Sequence, residues 1–268
     1  MKMSFLWIIV FISFSFSLLA RNNLRLPDTR SIGMGGNGVT QSVLFNPAVA
    51  ELLTGKGVEL NYFNYYGLRE LSSINLSLNY PNPYLSSAFN VSSFGYDEYR
   101  ESMFRLSFGK ALSERWILGI SVQYILIQTL IYEEDLNRLS TDVGILYHPV
   151  NNMLIGLLIS DMPSVKLSDE TLNVKALEYY SVHLGIQYYL NRNMLITVSA
   201  KYESEESIMP EFGIEYTPYD NFSIRTGVQS ASPTLGVGYK FSDLTVNAAF
   251  IYGSVLGISS GVGIVYSF

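Results

Sequence analysis

From about residue 58 to the last residue, apolar and polar side chains alternate in short runs. The clearest is EYYSVHLGIQYYL, residues 178–190. There Tyr180, Val182, Leu184, Ile186, Tyr188 and Leu190 share one face, while Tyr179, Ser181, His183, Gly185, Gln187 and Tyr189 share the other. A period of two sustained over a dozen residues predicts a strand with one apolar and one polar face. The same rule predicts fourteen strands: 58–66, 72–80, 85–94, 101–111, 116–130, 140–148, 152–161, 178–190, 193–204, 209–217, 221–230, 233–242, 244–253 and 258–268. Glycines recur on the polar face, among them Gly119, Gly144 and Gly156.

Alternation alone fits a soluble sandwich, with its apolar face on a core, as well as a membrane barrel, with that face on lipid and the polar face lining a lumen. Two further patterns separate them. Aromatic residues gather near the ends of the runs, as Tyr62, Tyr80, Tyr132, Tyr147, Tyr188 and Tyr216 do, where a barrel needs amphipathic rings at both membrane interfaces. The connections are also sorted. Even-numbered ones are tight, such as PNPY (81–84), SER (113–115) and PYD (218–220), whereas several odd-numbered ones are long, notably 132–140 and 161–178. Short periplasmic turns and longer outer loops produce this sorting, and a sandwich has no reason to. The expected fold is therefore all-β, a transmembrane antiparallel barrel of about fourteen strands.

Composition agrees. Only 15% of the 268 residues are charged and 48% are hydrophobic, against about 25% charged in an ordinary soluble domain. Yet the longest apolar run beyond the N-terminus, residues 116–132, is interrupted by Gly, Ser, Gln and Thr, short of the roughly 18 uninterrupted apolar residues of a spanning helix. At the N-terminus, Lys2 followed by the apolar stretch Phe5–Leu19 and a small residue at Ala20 reads as a signal peptide over residues 1–20. An uncleaved anchor helix is the alternative. At the other end, GVGIVYSF, with Gly263, Tyr266 and Phe268, resembles the terminal-strand signal read by the barrel-assembly machinery.

Between the signal and the first strand lies RSIGMGGNGVT, residues 30–40, which contains the letters G-x-G-x-x-G. A dinucleotide site needs those glycines after a buried strand and at the start of a helix. Here a polar stretch, RNNLRLPDT, precedes them and no parallel βαβ unit follows, so no nucleotide cofactor is expected. A solvated linker is the bland alternative, but Ile32, Met34, Val39, Val43, Leu44, Phe45 and Leu52 make the segment too apolar for one.

The stretch DTRSIGMGGNGVTQSVLFNPAVAELLTGKGVEL resembles the N-terminal region of the FadL superfamily of outer-membrane barrels, and most nearly its PorV/PorQ-like branch. The likeness rests on Arg30, Gly33, Gly35, Gly36 and Gly38, followed by Asn46-Pro47-Ala48 before the first strand. The spacing between the two motifs is shorter than is usual in that family. The resemblance implies that residues 21–57 form a hatch that plugs a barrel over 58–268. It also implies a bacterial outer-membrane location. Physically, a fourteen-stranded barrel is too wide to be filled by its own side chains. Glycines on both hatch and wall would let backbones approach closely.

Candidate chemistry is sparse. The chain has no cysteine and two histidines, and its net charge of −6 offers nothing to nucleic acid. No catalytic or metal-binding constellation stands out. His183, expected to face the lumen, reads as structural. Lys201, Glu215 and Arg225 fall on the lumenal faces of three consecutive strands and suggest a charge ladder, either tying strands to hatch or contacting a solute. The expected partners are membrane lipid and the assembly machinery. Two functions remain open: a non-enzymatic accessory in protein secretion or surface assembly, as the PorV/PorQ-like resemblance implies, or a FadL-like passive transporter of hydrophobic small molecules. Short outer loops, the longest of them mixed polar, favour the accessory.

Overall fold

The computed structural model describes residues 24–130, 135–167, 180–204 and 207–268; the expected signal segment, 1–20, lies outside them. The chain builds strands β1 (Gly57–Asn64), β2 (Ser72–Tyr80), β3 (Ser86–Tyr96), β4 (Tyr99–Ala111), β5 (Trp116–Thr129), β6 (Leu136–Val150) and β7 (Met153–Ser160). After a short β8 (Ser164–Lys166) come β9 (Ser181–Asn191), β10 (Met194–Glu203), β11 (Met209–Tyr219), β12 (Phe222–Gln229), β13 (Ser232–Phe241), β14 (Leu244–Gly253) and β15 (Gly257–Ser267). Successive strands pair antiparallel, β7 pairs directly with β9, and β15 returns to β1 with Leu60 opposite Ile264. The fourteen long strands thus close into a barrel. Closure leaves no strand edge in lipid, where an unpaired backbone group would cost several kcal/mol.

Side-chain burial is inverted relative to a soluble protein. Along β5, Leu118 and Ile120 are 41% and 49% exposed, whereas Ser121 between them and Val122 is fully buried. A sandwich would hide the leucine and show the serine. Here the apolar face forms an outer belt and the polar face the interior, which is the architecture of a bacterial outer-membrane barrel. Aromatic residues mark the periplasmic rim, where Trp116 stacks on Tyr147 at 4.3 Å, and Tyr180, Tyr202 and Tyr252 mark the outer rim. Departures from regular register occur between Tyr147 and Val150, Met194 and Leu195, and Tyr216 and Tyr219, all at the periplasmic ends of strands.

Two expectations about the connections change. β6 begins at Leu136, not near residue 140. Its first turn looks like loop in the sequence because Arg138 interrupts the apolar pattern, but that guanidinium faces inward and lies 3.2 Å from Asp161. Some outer connections are short, in line with the expectation that only several are long: Asp97–Glu98 and Ser230–Ala231 are two-residue turns, the latter with both residues at positive φ, as tight hairpins require. The segment 161–178 contributes β8, which pairs with the top of β6 through Ser140 opposite Ser164; residues 168–178 lie outside the described residues.

The interior is filled by the segment that precedes β1. Leu24 packs near the outer rim with Phe94, Met103 and Ile125. The chain then forms helix α1 (Thr29–Gly33) against β12–β15, crosses the lumen, and forms a 3-10 helix over Pro47–Leu52 against β3–β6. Ala48, Val49 and Ala50 of that helix close the periplasmic end with Ala88, Ile117, Leu146 and Leu154.

Candidate functional site

The glycine motif is the joint between hatch and wall. Asp28 caps α1, its carboxylate accepting from the Ser31 amide at 2.9 Å. The helix thus precedes the glycines instead of following them, the reverse of a phosphate-binding turn. Gly35 and Gly36 then adopt φ of +76° and +87°, a region that side chains disfavour. The Gly35 amide is shared between the Ile32 carbonyl of the helix, at 3.2 Å, and Thr234 Oγ1 of the wall, at 3.0 Å.

The wall answers with its own glycines. A Cβ on Gly33 would come within 3.0 Å of the Gly236 Cα, and Gly213 and Gly227, paired across β11 and β12, face the backbone of Met34 and Gly35. On the opposite wall Gly119 and Gly144, paired across β5 and β6, meet Asn46, Pro47 and Ala48. Gly38 leaves room for the Pro27 side chain. Asn46 caps the 3-10 helix by accepting from the Ala48 amide at 3.0 Å, and its Nδ2 donates to the Val39 carbonyl at 2.7 Å. Pro47 takes the first helical position, where its missing N–H costs nothing.

Two charge clusters complete the contact. Arg30 of the hatch donates to both carboxylate oxygens of Glu215, at 2.9 and 2.6 Å. Arg225 donates to the same carboxylate at 2.5 Å and to Asn247 at 2.9 Å. Lys201 is not part of this cluster. Register sets Leu195, not Lys201, opposite Glu215, and the Lys201 ammonium pairs with Glu203 on its own strand. The expected ladder of three wall residues is instead two wall residues joined by a hatch arginine.

The second cluster escaped sequence reasoning. Arg25 of the hatch lies 2.7 Å from Asp142 and 3.2 Å from Asp161. Arg105 meets Asp142 at 2.9 Å and donates to the hatch carbonyls of Leu44 and Phe45. Gln123 donates to Ser140 and Asp161, each at 2.8 Å. Arg105 and Asp142 are at most 1% exposed. The signal was present: both fall on the lumenal parity of their strands, where a charge must find a partner inside.

His183 faces the lumen, with Nε2 3.0 Å from Ser181 Oγ and its ring edge-on to Phe45 at 4.6 Å. Of the C-terminal residues, Tyr266 and Phe268 face outward with ring centroids 5.9 Å apart. Gly263 lies on the opposite face, against Thr29 of the hatch.

Open space occurs at the outer rim. A half-open cavity of about 550 Å³ is lined by the β1–β2 loop, the β3–β4 turn and the end of β5, with Tyr65, Tyr66, Phe94, Tyr96, Tyr99 and Leu130 on its walls and Glu70 and Glu98 beside them. Its surroundings are pre-formed. The loop is closed by the Tyr65 amide donating to the Leu71 carbonyl at 2.9 Å, and Tyr65 stands edge-on to Phe94 at 6.1 Å. Tyr65, Leu71 and Tyr99 also pack on the cluster that holds Leu24, so the cavity rests on the start of the hatch.

No protein-family model matches the chain, and no curated protein matches it in sequence. Solved structures do match. The Pseudomonas putida toluene transporter TodX is 12% identical with a TM-score of 0.63 over 90% of this chain and 96% of that one. The CymD monoaromatic hydrocarbon channel is 15% identical with a TM-score of 0.66 over 92% and 98%. A Pseudomonas aeruginosa FadL homologue is 10% identical with a TM-score of 0.57 over 90% and 97%. At these identities the likeness establishes the fold alone, which the chain shares with these outer-membrane proteins.

Proposed function

We propose that the chain is a passive outer-membrane transporter of small hydrophobic molecules and that the outer-rim cavity is its capture site. The cavity carries this reading. Its volume lies within the range of about 300–1,000 Å³ typical of small-molecule sites, and five of its eleven lining residues are aromatic. The shortness of the outer loops argued for an accessory role on the premise that capture needs large apolar loops. Strand ends and two short connections suffice to build the cavity, which removes that objection. Toluene and monoaromatic hydrocarbons, for which TodX and CymD are named, are the chemical class to test first.

The secretion-accessory reading rests on the PorV/PorQ-like motif in the hatch. Every residue of that motif already has a packing or hydrogen-bonding role inside the barrel, and nothing further favours that branch. Proteoliposome flux of ethylbenzene separates the readings. The wild-type protein should accelerate uptake over protein-free vesicles, and Leu130→Arg, which places a long charged side chain at the cavity mouth, should abolish the gain. Wild-type uptake equal to that of empty vesicles would sink the transporter.

A further inference from the structure

The charge around the outer cavity narrows its ligand beyond hydrophobicity. Its lining includes five aromatic side chains and two carboxylates, Glu70 and Glu98, and not one basic residue. A third carboxylate, Glu101, lies just beneath and accepts from the Tyr99 hydroxyl at 2.7 Å. Two nearby cations are engaged elsewhere, and a third, Arg69 beside Glu70, is exposed on the β1–β2 loop and is not among the lining residues. Arg100 is 3.2 Å from Asp97, and Arg25, beside the Leu24 floor, is held by Asp142 and Asp161. We propose that this cavity selects small aromatic or alkyl molecules carrying a positive charge, such as quaternary ammonium or arylamine compounds, over neutral hydrocarbons and carboxylates. The inference rests on the reading of the cavity as the capture site.

The physical reasons are specific. Aromatic rings present a negative face that attracts a desolvated organic cation within about 6 Å. A quaternary ammonium carries apolar methyl groups around its charge, so it gains ring contact without needing hydrogen-bond donors in the wall. The carboxylates at the rim add attraction that salt will screen. A fatty-acid carboxylate meets the opposite conditions: it would lose water on entering and find no arginine or lysine in the lining. The aromatic packing of Tyr65 against Phe63 at 4.9 Å and Phe94 at 6.1 Å holds part of the wall in place before a ligand arrives. A fixed wall avoids ordering side chains on binding.

The test uses the full-length protein in lipid nanodiscs, with empty nanodiscs as the correction for partitioning. Benzyltrimethylammonium, its neutral carbon analogue neopentylbenzene, and 3-phenylpropionate are compared by saturation-transfer NMR at low and high salt. The cation should bind at least about fivefold more tightly than the neutral analogue at low salt, and the propionate most weakly. In Glu70→Gln/Glu98→Gln, at two exposed positions, the preference for the cation should fall to within about twofold. Equal binding of cation and neutral analogue, or preference for the propionate, overturns the charge selection. If neutral aromatics still cross proteoliposomes in a Leu130-sensitive manner, the transporter reading survives that failure. If no compound of any charge binds or crosses, both fall together.

Discussion

The hatch–wall joint and the outer cavity occupy one lumen and are built on different principles. At the joint, glycine faces glycine, as Gly33 and Gly236 do, and buried charges are matched, as Asp142 is by Arg25 and Arg105. At the cavity the side chains are large and aromatic, the carboxylates face open space, and about 550 Å³ is left unfilled. Close packing of this kind specifies one position for the hatch. The mouth forgoes that packing, and the space it leaves is what a solute can enter. The glycine motif, the most conspicuous feature of the sequence, therefore belongs to structure, and the function is sought where the packing stops.

The contrast predicts that damage to the joint costs stability and damage to the mouth costs flux. The largest effect should come from Asp142→Ala. It leaves the guanidinium of Arg105 buried against its own desolvation and removes one of two carboxylates from Arg25. Breaking a buried pair on one side costs about 3–5 kcal/mol, readable as a shift in the urea midpoint for folding into lipid vesicles. A shift equivalent to under about 1 kcal/mol would mean that the cluster does not hold the hatch. Gly213→Leu comes next, because its side chain would invade the backbone of Met34. Overpacking costs about 1–3 kcal/mol, and here the relief is displacement of the hatch, so planar-bilayer conductance should rise in the same variant.

Much of this architecture was legible from period and parity. The barrel follows from alternation because lipid outside and polar interior impose opposite demands on successive residues. Most predicted boundaries lie within three residues of the strands, and β2 and β14 match their predicted ranges. Legibility failed where a charge faced inward. Arg138 hid the start of β6, and Arg105 and Asp142 passed as ordinary lumenal polar residues because their partners are distant in sequence. The Arg30 contact to Glu215 spans 185 positions, so the motif exposed Arg30 without naming what it touches. The cavity was hidden for a different reason. Tyr65, Tyr96 and Tyr99 fit the pattern of interface aromatics equally well, and only the fold gathers them around one space.

Arg30 and Lys201 sharpen the comparison within the joint. Arg30 is about one-third exposed on its side chain, and Glu215 keeps Arg225 when it is removed. Arg30→Ala should therefore cost about 1 kcal/mol, less than a fully buried charged hydrogen bond. Lys201→Ala should cost more, about 1–3 kcal/mol, since it leaves the carboxylate of Glu203, a residue 3% exposed, buried without its cation. The urea midpoints of the two variants give the order. A smaller loss for Lys201→Ala than for Arg30→Ala would mean that the buried Glu203 carboxylate does not depend on the Lys201 ammonium.

Tyr96→Ala should have the smallest effect on stability and the clearest effect on function. The residue is 39% exposed at the β3–β4 turn, and its ring lines the cavity. Removing it should change the urea midpoint by the equivalent of no more than about 0.5 kcal/mol. Yet it deletes one aromatic wall from the capture site, a contact worth about 0.5–1 kcal/mol to a cation at an exposed site. Uptake of a limiting aromatic solute should fall two- to fivefold in consequence. Stability loss on the scale of the Gly213 variant would show that the mouth is packed like the joint, and the division between them would dissolve. Unchanged flux with unchanged stability would show that solutes bypass the cavity altogether.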